Sequence, residues 1–371
     1  MKIGIDCRMY STRFTGIGRY VFELTSHLFK LDKKNEYVLF FNDPEFQKFE
    51  PPNSRVKKVL VDARHYSLKE QTTFLKKINA EKLDLMHFTH FNAPIFYKKP
   101  SIVTIHDLTL SYFPGKKMRA LPYRLAYQLV LRNAVNNASK VIAVSQNTKQ
   151  DLLKLLKAKP DKIEVIYEAV DAHFKQLPTD VVKKICEKHN ILGPYLLYTG
   201  VWRGHKNLKN LIQAFAILKK EYGYIGNLVI TGRADPLYAK EIYTFARKLD
   251  IMDDIIFTGM VSEEDLVALY NGAEAYVFPS LYEGFGLPPL EAMACGTPVV
   301  ASKTSCIPEV CGDNALFFDP YKPDNMARVI CEIIGDKNKR EHLIKNGLKH
   351  LKLFSWDKMA KETLQVYKEI I

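Results

Sequence analysis

No run of eighteen apolar residues occurs in the 371-residue chain, so the sequence encodes no transmembrane helix. The opening Met-Lys-Ile-Gly-Ile-Asp reaches Asp6 and Arg8 too soon to build the apolar core of a signal peptide. Cysteine is scarce. The six (Cys7, Cys186, Cys295, Cys306, Cys311, Cys331) form no Cys-x-x-Cys pair and have no histidine at zinc spacing. That excludes a disulfide framework and a zinc ribbon, and reads as scattered reduced thiols in a cytosolic protein. Low-complexity tracts and short repeats are also missing. Acidic residues are short in one half only: residues 1–185 carry 32 Lys and Arg against 18 Asp and Glu, and the remainder 22 against 23. The whole net charge of +13 therefore comes from the first half. Such asymmetry suits an anionic partner, whether lipid headgroups, nucleic acid or a phosphorylated substrate.

What is present is a soluble globular composition, 47% hydrophobic and 26% charged, long enough for two domains. Short apolar runs alternate with helical patterns. In the first half the strands expected are Lys2–Cys7, Tyr37–Phe41, Val56–Val61, Leu85–Phe88, Ser101–Ile105, Lys140–Val144 and Ile163–Ile166. Those expected in the second are Tyr195–Thr199, Leu228–Thr231, Ile255–Thr258, Ala275–Phe278 and Pro298–Ala301. Helical periodicity fills the intervals, for example Ile17–Leu31, Ser67–Ile78 and Leu208–Tyr222. Strand-helix alternation predicts parallel sheets covered on both faces, and two such series predict two doubly wound α/β domains. The expected division is 1–180 and 190–355, joined through the polar stretch Asp171–Pro194, with a last amphipathic helix over 356–371.

Residues 278–298 carry the most chemistry. The buried strand Ala275–Phe278 runs into a loop with Gly284 and Gly286, then a short helix opened by Pro288-Pro289 and closed by Gly296. A helix N-terminus reached through glycines is an anion site, with Gly284, Phe285, Gly286 and Leu287 as the backbone cradle. Two carboxylates flank it, Glu283 before the turn and Glu291 inside the helix. Carboxylates on either side of a phosphate cradle suit a ligand with hydroxyls at both ends, as a nucleotide sugar has.

Further candidates sit where other strands end. The Thr15-Gly-Ile-Gly-Arg-Tyr20 loop, with Gly16 and Gly18, follows the first strand and lets phosphate approach, though it is not a full dinucleotide fingerprint. His106 and Asp107 close a buried strand, where ligands of open α/β sheets bind. His106 can bond a sugar hydroxyl, and Asp107 can orient the ring or cap the next turn. After Tyr195–Thr199, Arg203 and Lys206 can neutralise a leaving diphosphate without a metal. Gly232, with Arg233, follows the next strand and can line a base or ribose pocket. His87, near the end of Leu85–Phe88, and His90 and Asn92 beyond it can meet an acceptor. Their His-x-x-His spacing lacks nearby carboxylates in sequence, so no metal site is expected.

In this order the landmarks resemble the family-4 retaining glycosyltransferases of the GT-B fold over nearly the whole chain. They are Gly-Ile-Asp…Thr-Gly-Ile-Gly-Arg-Tyr, His106-Asp107, Gly200…Lys206-Asn207 and Glu283…Glu291. The opening resembles bacterial mannosyltransferases of O-antigen and related polysaccharides. The resemblance implies two Rossmann-like domains facing across a cleft, the donor held mainly by the second, and the last helix crossing back to the first. It implies that Glu291 binds ribose hydroxyls, Glu283 contacts the donor sugar, Arg203 and Lys206 bind the diphosphate, and His106 lies near the reacting carbon. Two departures stand out. Val201-Trp202 follows Gly200 where many members carry Gly-Arg, and Glu168-Ala169-Val170-Asp171 replaces the usual Asn-Gly-Val-Asp.

The expected function is retaining transfer of a hexose, with GDP-mannose as leading donor and UDP-sugars as runner-up, to a glycan or lipid-linked saccharide. No cofactor is required, and the place of action is the cytoplasm, with possible peripheral attachment to the inner face of the membrane. A sugar-nucleotide epimerase would need acid/base groups on both faces of the sugar, and the sequence offers no such pair. A nucleic-acid binder would interleave basic and stacking aromatic residues, whereas Lys-Lys pairs such as 57–58, 76–77, 98–99 and 116–117 are evenly spread.

Overall fold

The computed structural model describes residues 1–11, 16–115, 118 and 120–370. Contacts divide the chain into two compact units, Met1–Glu168 with Ser355–Ile371, and Ala169–Phe354. In the first, the strands are β1 (Lys2–Asp6), β2 (Glu36–Phe41), β3 (Val56–Leu60), β4 (Leu85–Phe88), β5 (Ser101–Ile105), β6 (Lys140–Ala143) and β7 (Ile163–Val165). They form one sheet in the order β3-β2-β1-β4-β5-β6-β7, every pairing parallel. The second holds β8 (Tyr195–Thr199), β9 (Asn227–Thr231), β10 (Ile255–Gly259), β11 (Ala275–Phe278), β12 (Val299–Ser302) and β13 (Ala315–Phe318). Its order is β10-β9-β8-β11-β12-β13, again parallel throughout. Both are doubly wound sheets whose strand order reverses beside the first strand of the unit, between β1 and β4 and between β8 and β11.

Sheets covered on both faces demand strands that are apolar on both faces. Accordingly β5, β8, β11 and β12 are buried along their whole length. Helix Leu208–Tyr222 shows how the cover is specified. Leu208, Leu211, Ile212, Phe215 and Leu218 repeat at helical spacing and are all buried. The helix starts at Asn207 and stops at Gly223, both in the left-handed region. Gly232 is required for a different reason: a β-carbon there would stand 2.1 Å from the carbonyl oxygen of Gly200. The loops after β8 and β9 thus touch backbone to backbone, with Gly200 N–H donating to the Thr231 carbonyl at 3.1 Å.

Four elements depart from the sequence reading. Asp171–Pro194 is no bare connection, because it contains helix Thr179–Lys188, packed through Cys186 against Tyr195. Strand β13 and helix Lys337–His350 were not anticipated. The Ser67–Ile78 helix is a π-helical turn, Glu70–Phe74, continued by Leu75–Ala80. It places Glu70 in the interior, where it accepts from Arg8 at 3.0 Å.

The last helix, Trp356–Ile370, belongs to the first unit. Tyr367 hydroxyl meets His87 Nδ1 at 2.6 Å, and Asp357 meets His27 at 2.7 Å. His87 is wholly buried, and its other ring nitrogen lies 2.8 Å from the Thr104 hydroxyl. Burial holds its pKa down to about 3, and burial holds His65 down to about 4.

An unfolded histidine titrates near 6.5, so below that pH the unfolded chain binds protons that the folded chain refuses. Stability is therefore complete above about pH 6.5 and is lost progressively as the pH falls toward about 4. Thermal melts from pH 7.5 to 4.5 should show this decline, and His87→Asn should melt lower at neutral pH but with a shallower acid slope. Melting that is independent of pH across that range would contradict the assignment.

Candidate active site

The reversal of strand order beside β8 opens the sheet at its carboxyl edge, and the two loops that leave it carry the charged groups. After β8 the chain forms the turn Gly204–Lys206, and Asn207 follows with φ of 61°. The Asn207 carboxamide donates to the carbonyls of Pro279 (3.1 Å) and Pro320 (2.8 Å), tying this loop to those after β11 and β13. Leu281 N–H donates to the His205 carbonyl at 2.7 Å. The two loops are thereby held side by side, and Lys206 Nζ donates to Glu283 Oε1 at 2.5 Å. Both side chains are mostly buried, at 19% and 14% exposure, so the pair is only partly screened by water.

The loop after β11 is fixed from below. The Ser305 hydroxyl donates to the Glu283 carbonyl at 2.7 Å, and the Cys306 thiol to those of Glu283 (3.2 Å) and Phe285 (3.0 Å). Gly286 (φ 90°) then caps helix Leu287–Ala294 in a conformation that side-chain-bearing residues avoid. The anion site is narrower than the sequence reading supposed. Of the four N–H groups at a helix start, two here belong to Pro288 and Pro289 and do not exist, leaving those of Gly286 and Leu287. Phe285 is buried against Phe354 and shapes the loop through its ring.

Glu291 sits one turn into that helix, past the positions where the dipole favours an acid, so another interaction must account for it. The Tyr270 hydroxyl donates to Glu291 Oε2 at 2.8 Å. Burial, and then Glu291 itself, hold the Tyr270 phenol far above its ordinary pKa, so it remains a donor. Thr199, the last residue of β8, bridges Tyr270 (2.9 Å) and Tyr276 (3.0 Å). Tyr198 hydroxyl and Ser280 hydroxyl, at the ends of β8 and β11, are buried with no hydrogen-bond partner among the described residues. Unpaired buried hydroxyls cost about 1–3 kcal/mol each.

Of the remaining candidates in this unit, Arg203 is exposed beside Lys206, and Gly232 serves the Gly200 contact. Trp202 explains the departure from Gly-Arg: it is buried, with its ring against Phe257 and Tyr243 at 5.3 and 5.8 Å.

In the first unit, β5 delivers His106 to a buried polar floor. Its Nε2 lies 3.0 Å from the Thr89 carbonyl and its Nδ1 3.0 Å from Glu168 Oε1. Tyr20 abuts the ring edge-on at 4.7 Å. Asp107 does not orient the ring but accepts from Thr109 N–H at 2.7 Å, capping the next turn. His87 lies in the interior under the last helix and is no acceptor contact. Asn92 is 1% exposed, and neither atom of its carboxamide has a partner among the described residues. Gly16 is exposed at the start of helix Gly16–Leu31 and Gly18 is buried within it, while Thr15 lies outside the described residues. Asn207, Tyr270, Thr199 and Glu168 were not singled out as site residues from sequence. Only Asn207 carried a signal, the Lys-Asn pair ahead of a helix.

Residues 14–174 match the family model described as Glycosyltransferase Family 4, and residues 183–350 the one described as Glycosyl transferases group 1. The chain belongs to the family-4 glycosyltransferases. Among curated relatives, this glycosyltransferase is similar to O-antigen chain mannosyltransferase B of Escherichia coli, 28% identical over 99% of this chain and 100% of that protein. Sucrose-phosphate synthase from Thermosynechococcus elongatus superposes with a TM-score of 0.80, at 22% identity over 99% of this chain and 98% of that one. HepE from Anabaena, solved in complex with UDP and glucose, superposes with a TM-score of 0.78 at 19% identity over all of both chains. The fold of this glycosyltransferase is GT-B.

Proposed function

We propose that the chain moves a hexosyl unit, with retention at the anomeric carbon, from a nucleotide diphosphate sugar to a glycan or lipid-linked saccharide. The observation that carries this reading is the Lys206–Glu283 pair beside the Gly286–Leu287 helix start. Without ligand, Lys206 neutralises Glu283. A diphosphate entering at the helix start offers Lys206 a doubly charged partner, and Glu283 is then released to a sugar hydroxyl. Arg203, exposed on the same loop, adds a second cation, so the leaving group's charge is met by side chains and backbone rather than by a required metal. Glu291, steadied by Tyr270, receives the ribose diol. The sugar carbon–oxygen bond to phosphate breaks as the acceptor oxygen bonds to the same face, and the acceptor's proton passes to the departing phosphate oxygen. Glu283 positions the sugar and forms no adduct.

GDP-mannose is the leading donor, supported by likeness to O-antigen chain mannosyltransferase B along the full chain. A UDP-sugar is the second reading, supported by the shared fold of HepE, which was solved with UDP and glucose. A thermal-shift panel of GDP-, UDP- and ADP-sugars on wild type and Glu291→Ala separates them. We expect stabilisation by GDP-mannose whose apparent affinity falls at least tenfold in Glu291→Ala, since a lost hydrogen bond to a charged group costs about 1.5–3 kcal/mol. No stabilisation by any nucleotide sugar would overturn the proposal.

The acceptor is met at an anionic membrane surface. Residues 115–137 contain five Lys and Arg and no Asp or Glu. Helix Leu121–Asn137 leaves Leu121, Leu125 and Leu129 exposed at four-residue spacing, 55 to 64% accessible, with Tyr123 and Arg124 beside them. No helix among the described residues is long and apolar enough to cross a membrane, and the exposed leucines beside basic residues support surface attachment. Flotation with phosphatidylglycerol vesicles should recover the protein, and phosphatidylcholine vesicles should not. The triple change Leu121→Ser, Leu125→Ser, Leu129→Ser should weaken partitioning at least tenfold, since burying one leucine contributes about 1.5–3 kcal/mol. Equal recovery of wild type and triple variant would remove this surface from the account.

A further inference from the structure

Ser305 follows β12 and precedes helix Ile307–Cys311. Its φ is 54°, in the left-handed region where a β-carbon crowds the next carbonyl oxygen. Lys82, Lys157, Asn190 and Asp250 share that conformation, but each lies just past the end of a helix, its ordinary place. Ser305 closes no helix. Glycine would take the same backbone without strain, so the serine side chain itself must account for its presence.

The hydroxyl supplies that account. Its oxygen accepts from the Glu283 N–H at 3.2 Å, and its proton is donated to the Glu283 carbonyl at 2.7 Å. A hydroxyl accepts and donates through a single atom. These two contacts grip the peptide groups on either side of the Glu283 α-carbon. One side chain thereby fixes both backbone torsions of Glu283, and with them the direction in which its carboxylate leaves the loop. The Cys306 thiol, fully buried, lies 3.2 Å from the same carbonyl and 3.0 Å from that of Phe285. A carbonyl cannot donate, so the thiol holds one side of Glu283 and Ser305 holds both. The carboxylate end is met by Lys206 at 2.5 Å, and all four residues belong to the second unit.

We propose that Ser305 is a positioning residue that aims Glu283 at the hexose of the donor, and that the strained backbone at 305 is kept for this hydroxyl against the stability of the loop. The inference rests on the reading that Glu283 contacts the donor sugar. It deepens that reading by dividing the site. Lys206, Arg203 and the helix start at Gly286 meet the diphosphate, and Ser305 bonds none of them. Its influence is on the sugar alone.

Ser305→Ala and Ser305→Gly both remove the hydroxyl, but only glycine relieves the backbone. The glycine variant should melt above the alanine variant by roughly 2–4 °C. Without any ligand, hydrogen exchange at the Glu283 amide should quicken about tenfold or more in both variants, while the amides of β11 keep their rates. For whichever of GDP-mannose and UDP-glucose binds the wild type, affinity should fall about tenfold in both variants, the order of a lost hydrogen bond to a charged group. Affinity for the matching free diphosphate, GDP or UDP, should change by about twofold at most, as for an independent contact. Unchanged exchange at Glu283, equal losses for nucleotide and nucleotide sugar, or sugar-nucleotide affinity that recovers with stability in the glycine variant would each overturn the inference. A wild-type protein that binds neither nucleotide sugar bears against the proposed function, while the exchange rates still decide whether Ser305 holds Glu283.

Discussion

In an all-parallel sheet each strand must hand the chain to a helix crossing one face, and where strand order reverses the helices on either side depart in opposite directions. Between β8 and β11 this constraint decides nearly everything about the second unit's site. It leaves two loops side by side at the carboxyl edge, and it demands backbone that ordinary residues resist: Asn207 and Gly286 are left-handed, and Gly200 meets Gly232 without a side chain between. Asn207 ties the loops with two carbonyl bonds, and only then do Lys206 and Glu283 come within 2.5 Å. The ion pair is a consequence of topology before it is a feature of chemistry.

Charge is arranged in both units so that the carboxylates of the two candidate sites and of the β1 end are paired. Glu283 has Lys206, Glu291 has the Tyr270 phenol, Glu70 and Asp6 share Arg8, and Glu168 has His106. A partly buried carboxylate without such a partner would cost several kcal/mol, on the order of the whole stability of a domain. The two units differ in what their partners can do. Lys206 is a compact ammonium on a flexible stem, able to exchange one anion for another. Arg8 is locked by two carboxylates, the Asn92 carbonyl and the Phe74 ring, so it is a structural cation.

Much of this was legible in the residues, and the omissions have physical reasons. Strands β5, β8 and β11 were read with their observed bounds because strands buried on both faces are unbroken apolar runs flanked by turn residues. Helix Lys337–His350 was missed because it is polar nearly all round. It buries only Leu343 and Gly347, the latter against Met293 of the site helix. Strand β13 was missed because four apolar residues after Gly312-Asp313-Asn314 read as well as a turn. At the site, Glu283, Glu291 and Lys206 were visible because the glycines and prolines around them mark a strand-to-helix turn. Tyr270 was not, since a tyrosine on a helix 21 residues before Glu291 has no local signature. His87 was misread because its strand-end position is shared by buried and ligand-facing residues, and only the last helix, 280 residues away in sequence, decides which it is.

The account turns on Lys206 leaving Glu283 for a diphosphate. Calorimetric titration of GDP and of UDP into wild type and Lys206→Met tests that exchange most directly. The account predicts that the nucleotide which binds the wild type loses at least tenfold in affinity to the methionine variant, and loses it progressively less as salt is raised. Equal affinity of the two proteins for both nucleotides would contradict it.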